Sequence, residues 1–410
     1  MMSPDQPSRR RPSTPVRFAA ATAVFALGAA GCSIDLSSWR PGGGGEEPAP
    51  SPTPVEAGPL LDAALESLAA APAITVQGQI AEAEDQAVKE TALTVTDAGA
   101  AYGTVQQSEN EAEVLQADGS LFVNAPDEYW LDQDVANPDT DQYAGAWVRV
   151  SGAQLGINPG SVLTPATLAE ILRGLAPESG DATLENLDGT SAYRVDLGGG
   201  EQNRVWIGED SGELMRMEIE QLAPEDADSG PRTRLNFAAP EAADIETVYD
   251  DILAAAEDGL GSSRDARLPV NWEGQLALEC ADGGACTVTG QAVDESGGSG
   301  DTTVLVRMDA ELTNDELGAQ ECSDSASLAA GETAELTCEV DFELEASTEP
   351  QEYEIAGDAL LSTRGLSSDA RDELIATVGD QREATLSPEE GAGSAEPSAD
   401  PSAEPSASGN

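Results

Sequence analysis

The chain has 410 residues, with 77 acidic against 19 basic side chains and a formal net charge of −58 at pH 7. This charge argues against nucleic-acid binding, which depends on Lys and Arg side chains, and it favours a soluble monomer. The absence of histidine excludes Ser-His-Asp catalysis and histidine metal sites. There is also no G-x-S-x-G, P-loop or C-x-x-C motif, so we expect a protein that is not an enzyme and has no metal or cofactor.

The N-terminal segment has the pattern of an export signal. Four arginines form a positively charged leader: Arg9, Arg10, Arg11 and Arg17. The next 14 residues, 18–31, carry no charge, whereas a membrane-spanning helix needs about 20 apolar residues. A charged leader followed by a short apolar run is typical of a cleaved signal peptide, which we predict for residues 1–31.

The apolar run ends in LGAAGC, residues 27–32, which resembles a bacterial lipobox. The resemblance implies cleavage before Cys32 and acylation of its thiol. The protein would then be held at the outer face of the cytoplasmic membrane. Export with a free cysteine is the alternative. Residues 32–58 are rich in Gly, Pro and Ser, which predicts a flexible tether after the anchor.

A first folded body is predicted for residues 59–240. Apolar residues at helical spacing indicate a helix over 60–68, and Thr164-Pro165 is typical of the start of a second helix. Asp118-Gly119 predicts a β-hairpin. The strand predictions are residues 74–80, 93–96, 100–107, 111–118, 120–126, 190–197, 203–209, 214–222 and 232–237. The short connections favour one antiparallel sheet with both helices on one face.

Four segments of this body resemble LolA-like actinobacterial lipoproteins, the LppX and LprG group. They are SLFVNAPDEYW (120–130), AGAWVRVSG (144–152), DGTSAYRVDL (188–197) and VWIGEDSGELMRMEI (205–219). The resemblance implies an open half-barrel, in which a curved antiparallel sheet with helices on one face encloses an apolar cavity for acylated lipids. It also implies a role in moving lipids through the cell envelope.

Five aromatic side chains of this body are candidates for lining such a cavity: Phe122, Trp130, Trp147, Tyr193 and Trp206. Tryptophan and tyrosine are also usually well buried in filled protein cores. The sequence alone leaves core packing and cavity lining open.

An acidic loop, residues 132–141, contains oxygen ligands of the kind that calcium prefers: Asp132, Asp134, Asn137, Asp139 and Asp141. Their spacing does not fit an EF-hand loop, because Asn137 stands where glycine is required and no glutamate occupies the twelfth position. We therefore predict a solvated loop without a metal.

A linking helix and a second body follow. Apolar residues from 245 to 256 recur at helical spacing, within a linker predicted for 241–267. Residues 268–346 contain strands with alternating apolar and polar residues, as in 304–312 and 336–344. This part resembles small Ig-like modules of actinobacterial surface proteins, which implies a β-sandwich. The predicted fold class is therefore α+β followed by all-β.

Four cysteines of the second body predict two disulfides, because an even number in an exported chain suggests pairing. Cys280 and Cys286 flank a five-residue hairpin loop and can lie opposite each other on adjacent strands. Cys322 is then left to pair with Cys338. The alternation of the strands places the cysteines on inward faces.

The C-terminal part is predicted to contain an extension and a tail. Residues 347–383 form the extension, with one helix over 367–379. Residues 384–410 are rich in Ser, Ala, Pro and acidic residues, so they lack the apolar side chains needed for a core and are predicted to be disordered.

Two functions are compatible with this organisation. The first is a lipid-anchored carrier that binds a lipid or other lipophilic molecule in an apolar cavity and carries or presents it in the envelope. The second is a surface lipoprotein that acts as a scaffold for contacts with an envelope protein. Cavity size distinguishes them, because a carrier needs an apolar pocket of several hundred Å³, whereas a scaffold fills that space with side chains.

Overall fold

The computed structural model describes residues 54–387, apart from 82–87, 134, 136, 226, 228, 299, 345–348 and 350. The predicted signal peptide, Cys32, the tether up to residue 53 and the tail from residue 388 lie outside the described residues. Residues 55–58 of the predicted tether and 384–386 of the predicted tail instead belong to a strand and to helices. The described part is a mixed α+β fold that consists mainly of β-sheet.

The first body alternates short helices with the strands of one large sheet. Its helices are α1 (Ala57–Ala69), α2 (Asp127–Asp132), α3 (Gly152–Leu155), α4 (Pro159–Val162) and α5 (Pro165–Gly174). Its first strands are β1 (Val55–Glu56), β2 (Ala73–Ala81), β3 (Lys89–Thr96), β4 (Ala101–Gln107), β5 (Asn110–Ala117) and β6 (Ser120–Asn124). The next are β7 (Trp147–Val150), β8 (Asp181–Leu187), β9 (Thr190–Asp196), β10 (Arg204–Gly208), β11 (Leu214–Ile219) and β12 (Arg232–Ala238).

The large sheet joins two antiparallel runs of strands. Strands β2 to β7 lie side by side in chain order, as do β8 to β12, and β12 pairs with β2. Strand β1 extends the sheet beyond β8, and β13 (Arg264–Asp265) extends it beyond β7 as a parallel strand. Among the described residues the sheet therefore has thirteen strands.

One face of this sheet, here called the inner face, packs against α1 and α5. Leu61, Leu65 and Leu68 form the buried stripe of α1. They share a core with alternate strand residues such as Val76 and Val205. Both predicted helices thus lie on the same face, because each presents one apolar stripe to one apolar sheet face.

The opposite face, here called the outer face, is partly covered by two further helices. These are α6 (Ala242–Asp258) and α7 (Ser368–Leu386). Ile245 and Ile252 of α6 share a cluster with Phe122 and Trp147 of the sheet. The segment 241–267, predicted as a linker, therefore contributes both a helix and a strand to the first body. The apolar stripe of α6 is buried against strand residues whose side chains point to the outer face of the sheet.

The described part of the second body contains two small sheets. The strands are β14 (Val270–Trp272), β15 (Ala277–Cys280), β16 (Ala285–Asp294), β17 (Thr303–Asn314), β18 (Gly318–Ala329), β19 (Thr333–Asp341) and β20 (Ala356–Arg364). Strands β14, β15 and β19 pair with β16, and β18 and β20 pair with β17. Val288, Met308 and Leu336 belong to one core formed by both sheets.

The second body extends beyond its predicted limit at residue 346. Strand β20 lies in the predicted extension 347–383 and pairs with β17 along nine residues. Leu361 is buried beside Met308 in the shared core, so β20 is an integral strand. The predicted helix of this extension is also present as α7, but it packs on α6 of the first body.

The structure contains two disulfides in the C-terminal half. One joins Cys280 with Cys286 across β15 and β16, and the other joins Cys322 with Cys338 between the two sheets. Cys280 lies directly opposite the buried Cys286 and points to the same face of the sheet, as predicted, but its side chain is exposed. The reason is that β15 is a short edge strand, so its residues are not covered by a second sheet layer.

Candidate functional site

An apolar cavity of about 290 Å³ lies between the C-terminal half of α1 and the inner face of the sheet. We call it the α1 cavity. Its apolar wall is formed by Ala64, Leu68, Ile74, Leu214, Met215 and Phe237. Its polar lining comes mainly from the β8–β9 and β10–β11 turns and consists of Thr190, Ser191, Glu209, Asp210, Ser211 and Glu213.

Local structure places these residues around the cavity. Helix α1 ends shortly before Pro72, and β2 begins at Ala73, so Leu68 and Ile74 stand on either side of a tight corner. The β10–β11 turn is closed by a hydrogen bond of 2.9 Å from the Gly208 N–H to the Glu213 carbonyl. None of these residues was predicted from the sequence as cavity lining, and Leu68 was predicted only as part of the apolar stripe of α1.

Away from the α1 cavity, the core at the inner face contains large side chains. Trp130 packs edge-on between Tyr129 and Tyr143, with ring centroids 5.2 and 5.4 Å apart. All three side chains are buried. Trp130 is therefore a core residue, and the α1 cavity is smaller than the pocket of several hundred Å³ expected for a large lipid.

The other predicted aromatic residues do not meet at one site. Phe122 and Trp147 lie on the outer face beneath α6. Trp206 also points to the outer face, where its Nε1–H donates to Glu185 at 3.2 Å. Tyr193 is half-buried opposite Ile207 of the inner-face core. None of the five lines the α1 cavity. Strand alternation directs Phe122, Trp147 and Trp206 to the outer face. Trp130 and Tyr193 are on the inner side of the sheet but do not reach the cavity.

The prediction of a solvated loop at 132–141 is wrong for Asn137 and Asp139, whereas Asp132 and Asp141 are exposed as predicted and Asp134 lies outside the described residues. Asp139 is 0% exposed, and Asn137 is also buried. The Asp139 carboxylate accepts hydrogen bonds from the N–H and hydroxyl of Thr363 in β20, at 2.8 and 3.1 Å. The Asn137 side chain accepts from the Val270 N–H at 2.8 Å and donates to the Asp265 carbonyl at 3.2 Å. These residues connect the two bodies, which removes them from water.

Arginines complete this connection between the two bodies. We call it the joint, and it consists of Asn137, Asp139, Arg149, Arg264, Asp265, Arg267 and Thr363 with the backbone groups that they contact. Arg267 forms a bidentate ion pair with Asp265, with a shortest contact of 2.6 Å, and donates to the Thr303 carbonyl at 2.8 Å. Arg149 of β7 donates to the Gly365 carbonyl at 3.2 Å. The joint therefore holds β17 and the end of β20 against the first body through buried and half-buried polar contacts.

Asp139 is the least compensated charge of the joint. Its nearest cationic partner is Arg264 at 3.9 Å, and its Oδ1 has no hydrogen-bond partner. Burial raises the pKa of Asp139, and the hydrogen bonds from Thr363 and the charge of Arg264 only partly oppose this effect.

The described residues contain further cavities but no candidate metal site and no helix that could span a membrane. They include no group of His, Cys, Asp or Glu suited to a metal ion. No described helix is both long and apolar enough to span a membrane. Two further cavities, of about 500 and 310 Å³, lie beside strands β11, β12 and β2 and contain arginines such as Arg234. A cavity of about 690 Å³ lies in the second body beside the Cys280–Cys286 hairpin.

No family model and no curated protein matches the chain. Among solved structures, it is similar to LprF from Mycobacterium bovis, with 15% sequence identity and a TM-score of 0.30, over 46% of this chain and 96% of that chain. It is also similar to MucB in complex with MucA(peri), with 16% identity and a TM-score of 0.22, over 66% of this chain and 94% of that chain. Both TM-scores are low.

Proposed function

We propose that the chain is a non-enzymatic lipoprotein of the cell envelope that binds one lipophilic chain in the α1 cavity and carries or presents it. The α1 cavity carries this proposal, because it combines an aliphatic wall, including Leu68 and Ile74, with an opening lined by polar groups. The resemblance of residues 120–130, 144–152, 188–197 and 205–219 to LolA-like lipoproteins supports the same function. In that family the cavity of an open half-barrel holds acylated lipids.

The size of the α1 cavity suits one short acyl chain. Its volume of about 290 Å³ is just below the ~300 Å³ at which the usual range of ligand sites begins. It is about ten times the ~30 Å³ that a water molecule occupies in the liquid. Burying eight methylene groups contributes about 6 kcal/mol at ~0.8 kcal/mol each, before the cost of ordering the ligand.

The N-terminal sequence supports the proposed location. The lipobox-like sequence before Cys32 would place acyl chains in the outer face of the cytoplasmic membrane, and residues 33–53 would act as the tether. In this proposal the second body, with its Ig-like pattern of strands, is a module held close to the binding domain by the joint.

Filling the α1 cavity tests this function. We expect Leu68→Trp and Met215→Trp each to weaken binding of 1-monodecanoylglycerol at least tenfold, since both side chains line the cavity. Leu60→Trp is the matched control, because Leu60 lies on α1 without lining the cavity. Native mass spectrometry and circular dichroism would measure binding and folding. Equal binding by folded cavity variants and wild type would contradict the proposal.

A scaffold for protein contacts is the second candidate function. Two observations favour it: the core around Trp130 is filled by side chains, and the polar joint fixes the two bodies to each other. Both give the molecule a rigid surface to which a partner protein could bind. This alternative predicts that the wild-type chain binds no acyl compound at all, in the same experiment.

A further inference from the structure

The opening of the α1 cavity carries negative charge without a compensating base. Glu209, Asp210 and Glu213 line it and are exposed, and none of its described lining residues is Lys or Arg. The ion pairs found among the described residues do not include these three carboxylates. A bound head group at this opening would therefore meet three carboxylates.

Hydrogen bonds from backbone N–H groups define the turn that carries these carboxylates. The Glu209 N–H donates to the Ser191 carbonyl at 3.1 Å, which ties the β10–β11 turn to β9. The Glu213 N–H donates to the Ser211 hydroxyl at 3.2 Å. Gly212 has a φ of +70°, the left-handed conformation that closes the turn. The negative charge is thus attached to a defined turn beside the cavity opening.

Hydroxyl groups share this opening with the acids. Ser67 of α1, Thr190 and Ser191 of β9 and Ser211 of the β10–β11 turn all line the cavity. Hydroxyls can both donate and accept hydrogen bonds, so they suit an uncharged, hydroxyl-bearing head group. The cavities beside β11 and β12 differ, because Arg216, Arg232 and Arg234 line them.

We propose that the α1 cavity selects acyl compounds with an uncharged or cationic head group and discriminates against carboxylates and phosphates. This inference rests on the proposed function, because it assumes that the aliphatic wall holds the acyl chain. The apolar wall determines that the chain binds, and the charges of Glu209, Asp210 and Glu213 determine which head group is tolerated. Coulomb repulsion from three nearby carboxylates disfavours an anion, and salt screens this repulsion.

Three ligands with the same ten-carbon chain test the head-group preference: 1-monodecanoylglycerol, decyltrimethylammonium and decyl phosphate. We expect the full chain to bind the first two at least tenfold more tightly than decyl phosphate at low ionic strength. Because the preference is electrostatic, it should shrink toward equality when the salt concentration is raised to ~0.5 M, where the Debye length is below ~8 Å.

A rim variant and a matched control identify the source of the preference. Glu209→Gln/Asp210→Asn/Glu213→Gln should bind decyl phosphate as tightly as the glycerol ester. The control changes three exposed acids of the second body and alters the net charge equally: Asp315→Asn/Glu316→Gln/Glu332→Gln. It should keep the wild-type preference.

The possible results separate this inference from the proposed function. If all three ligands bind equally well to the wild type, the head-group preference is refuted while the lipophilic cavity stands. If the control variant loses the preference as the rim variant does, overall charge and not the rim is responsible, and the inference is again refuted. If none of the ligands binds to the folded chain, both the inference and the proposed function are wrong.

Discussion

Replacing Thr363 by valine should reveal how strongly the joint stabilises the protein. Thr363 is 1% exposed, and its hydroxyl has two partners in the joint. It accepts from the Asp265 N–H at 2.9 Å and donates to the Asp139 carboxylate at 3.1 Å. Thr363→Val keeps the shape of the side chain but removes both hydrogen bonds.

The expected cost follows from the groups left behind. A buried N–H without an acceptor costs about 1–3 kcal/mol, which applies to Asp265. Loss of a hydrogen bond to a carboxylate costs a further ~1–3 kcal/mol at Asp139. Because Asp139 keeps the Thr363 N–H as a donor, we expect a total in the lower half of the combined range, about 2–4 kcal/mol in the free energy of unfolding.

A matched threonine provides the control. Thr233 in β12 is also buried, but its hydroxyl has no hydrogen-bond partner. Thr233→Val should therefore leave the stability unchanged or raise it slightly, since it removes an unsatisfied polar atom. Urea unfolding followed by fluorescence measures both variants. If Thr363→Val costs less than ~0.5 kcal/mol, or if both variants cost the same, the joint does not stabilise the fold as argued.

Three other predictions concern the same structure. Burial raises the pKa of Asp139, so its contribution to stability is present below its ordinary pKa of ~3.9 and is lost as pH rises through the folded-state pKa. Between these two pKa values, the unfolding free energy of the wild type should fall relative to that of Asp139→Asn. A difference between the two proteins that does not change with pH would refute this prediction. Replacing Cys322 and Cys338 by serine should cost about 3 kcal/mol in urea unfolding, against ~2 kcal/mol for the shorter hairpin disulfide, because stabilisation grows with loop length; the reverse order would contradict this reasoning. Gly78→Ala should lower the melting temperature strongly, because a Cβ there would lie 2.0 Å from the Arg234 carbonyl oxygen, whereas Gly174→Ala, which meets nothing within 4 Å, should not.

Elements with strong local signals were predictable from the sequence. The leucines of α1 recur at helical spacing, and Thr164 caps α5 by accepting from the Thr167 N–H. Asp118 and Gly119 both have positive φ, at 47° and 70°, as the predicted hairpin turn requires. Each of these features depends only on residues a few positions apart.

Elements that depend on distant partners were missed. Strand β18 (Gly318–Ala329) is mostly polar, and its apolar alternation is weak, because Asp324 interrupts the inward face that Cys322, Ala326 and Leu328 form. The short strand β13 exists only because it pairs with β7. Asp139 looked like a surface residue because no local pattern reveals that Thr363, 224 positions away, would bury it.

The candidate site could be predicted only in outline. An apolar cavity between helix and sheet followed from the family resemblance, but the aromatic residues chosen to line it were wrong. Phe122 and Trp147 lie on the outer face of the sheet, where α6 covers them. The wall of the α1 cavity, on the inner face, is formed instead by residues such as Leu214. Which strand face a second helix covers is a property of the tertiary fold, and periodicity alone does not reveal it.

The most direct test of the central claim is the mass of the protein itself. The chain from residue 33 onward would be exported without its anchor and weighed under native conditions, then again after extraction with organic solvent. We predict an additional mass of one lipophilic molecule that disappears on extraction and is absent from the Leu68→Trp variant. A bare chain mass that stays unchanged when 1-monodecanoylglycerol is added would contradict the lipophilic cavity and leave the scaffold as the function.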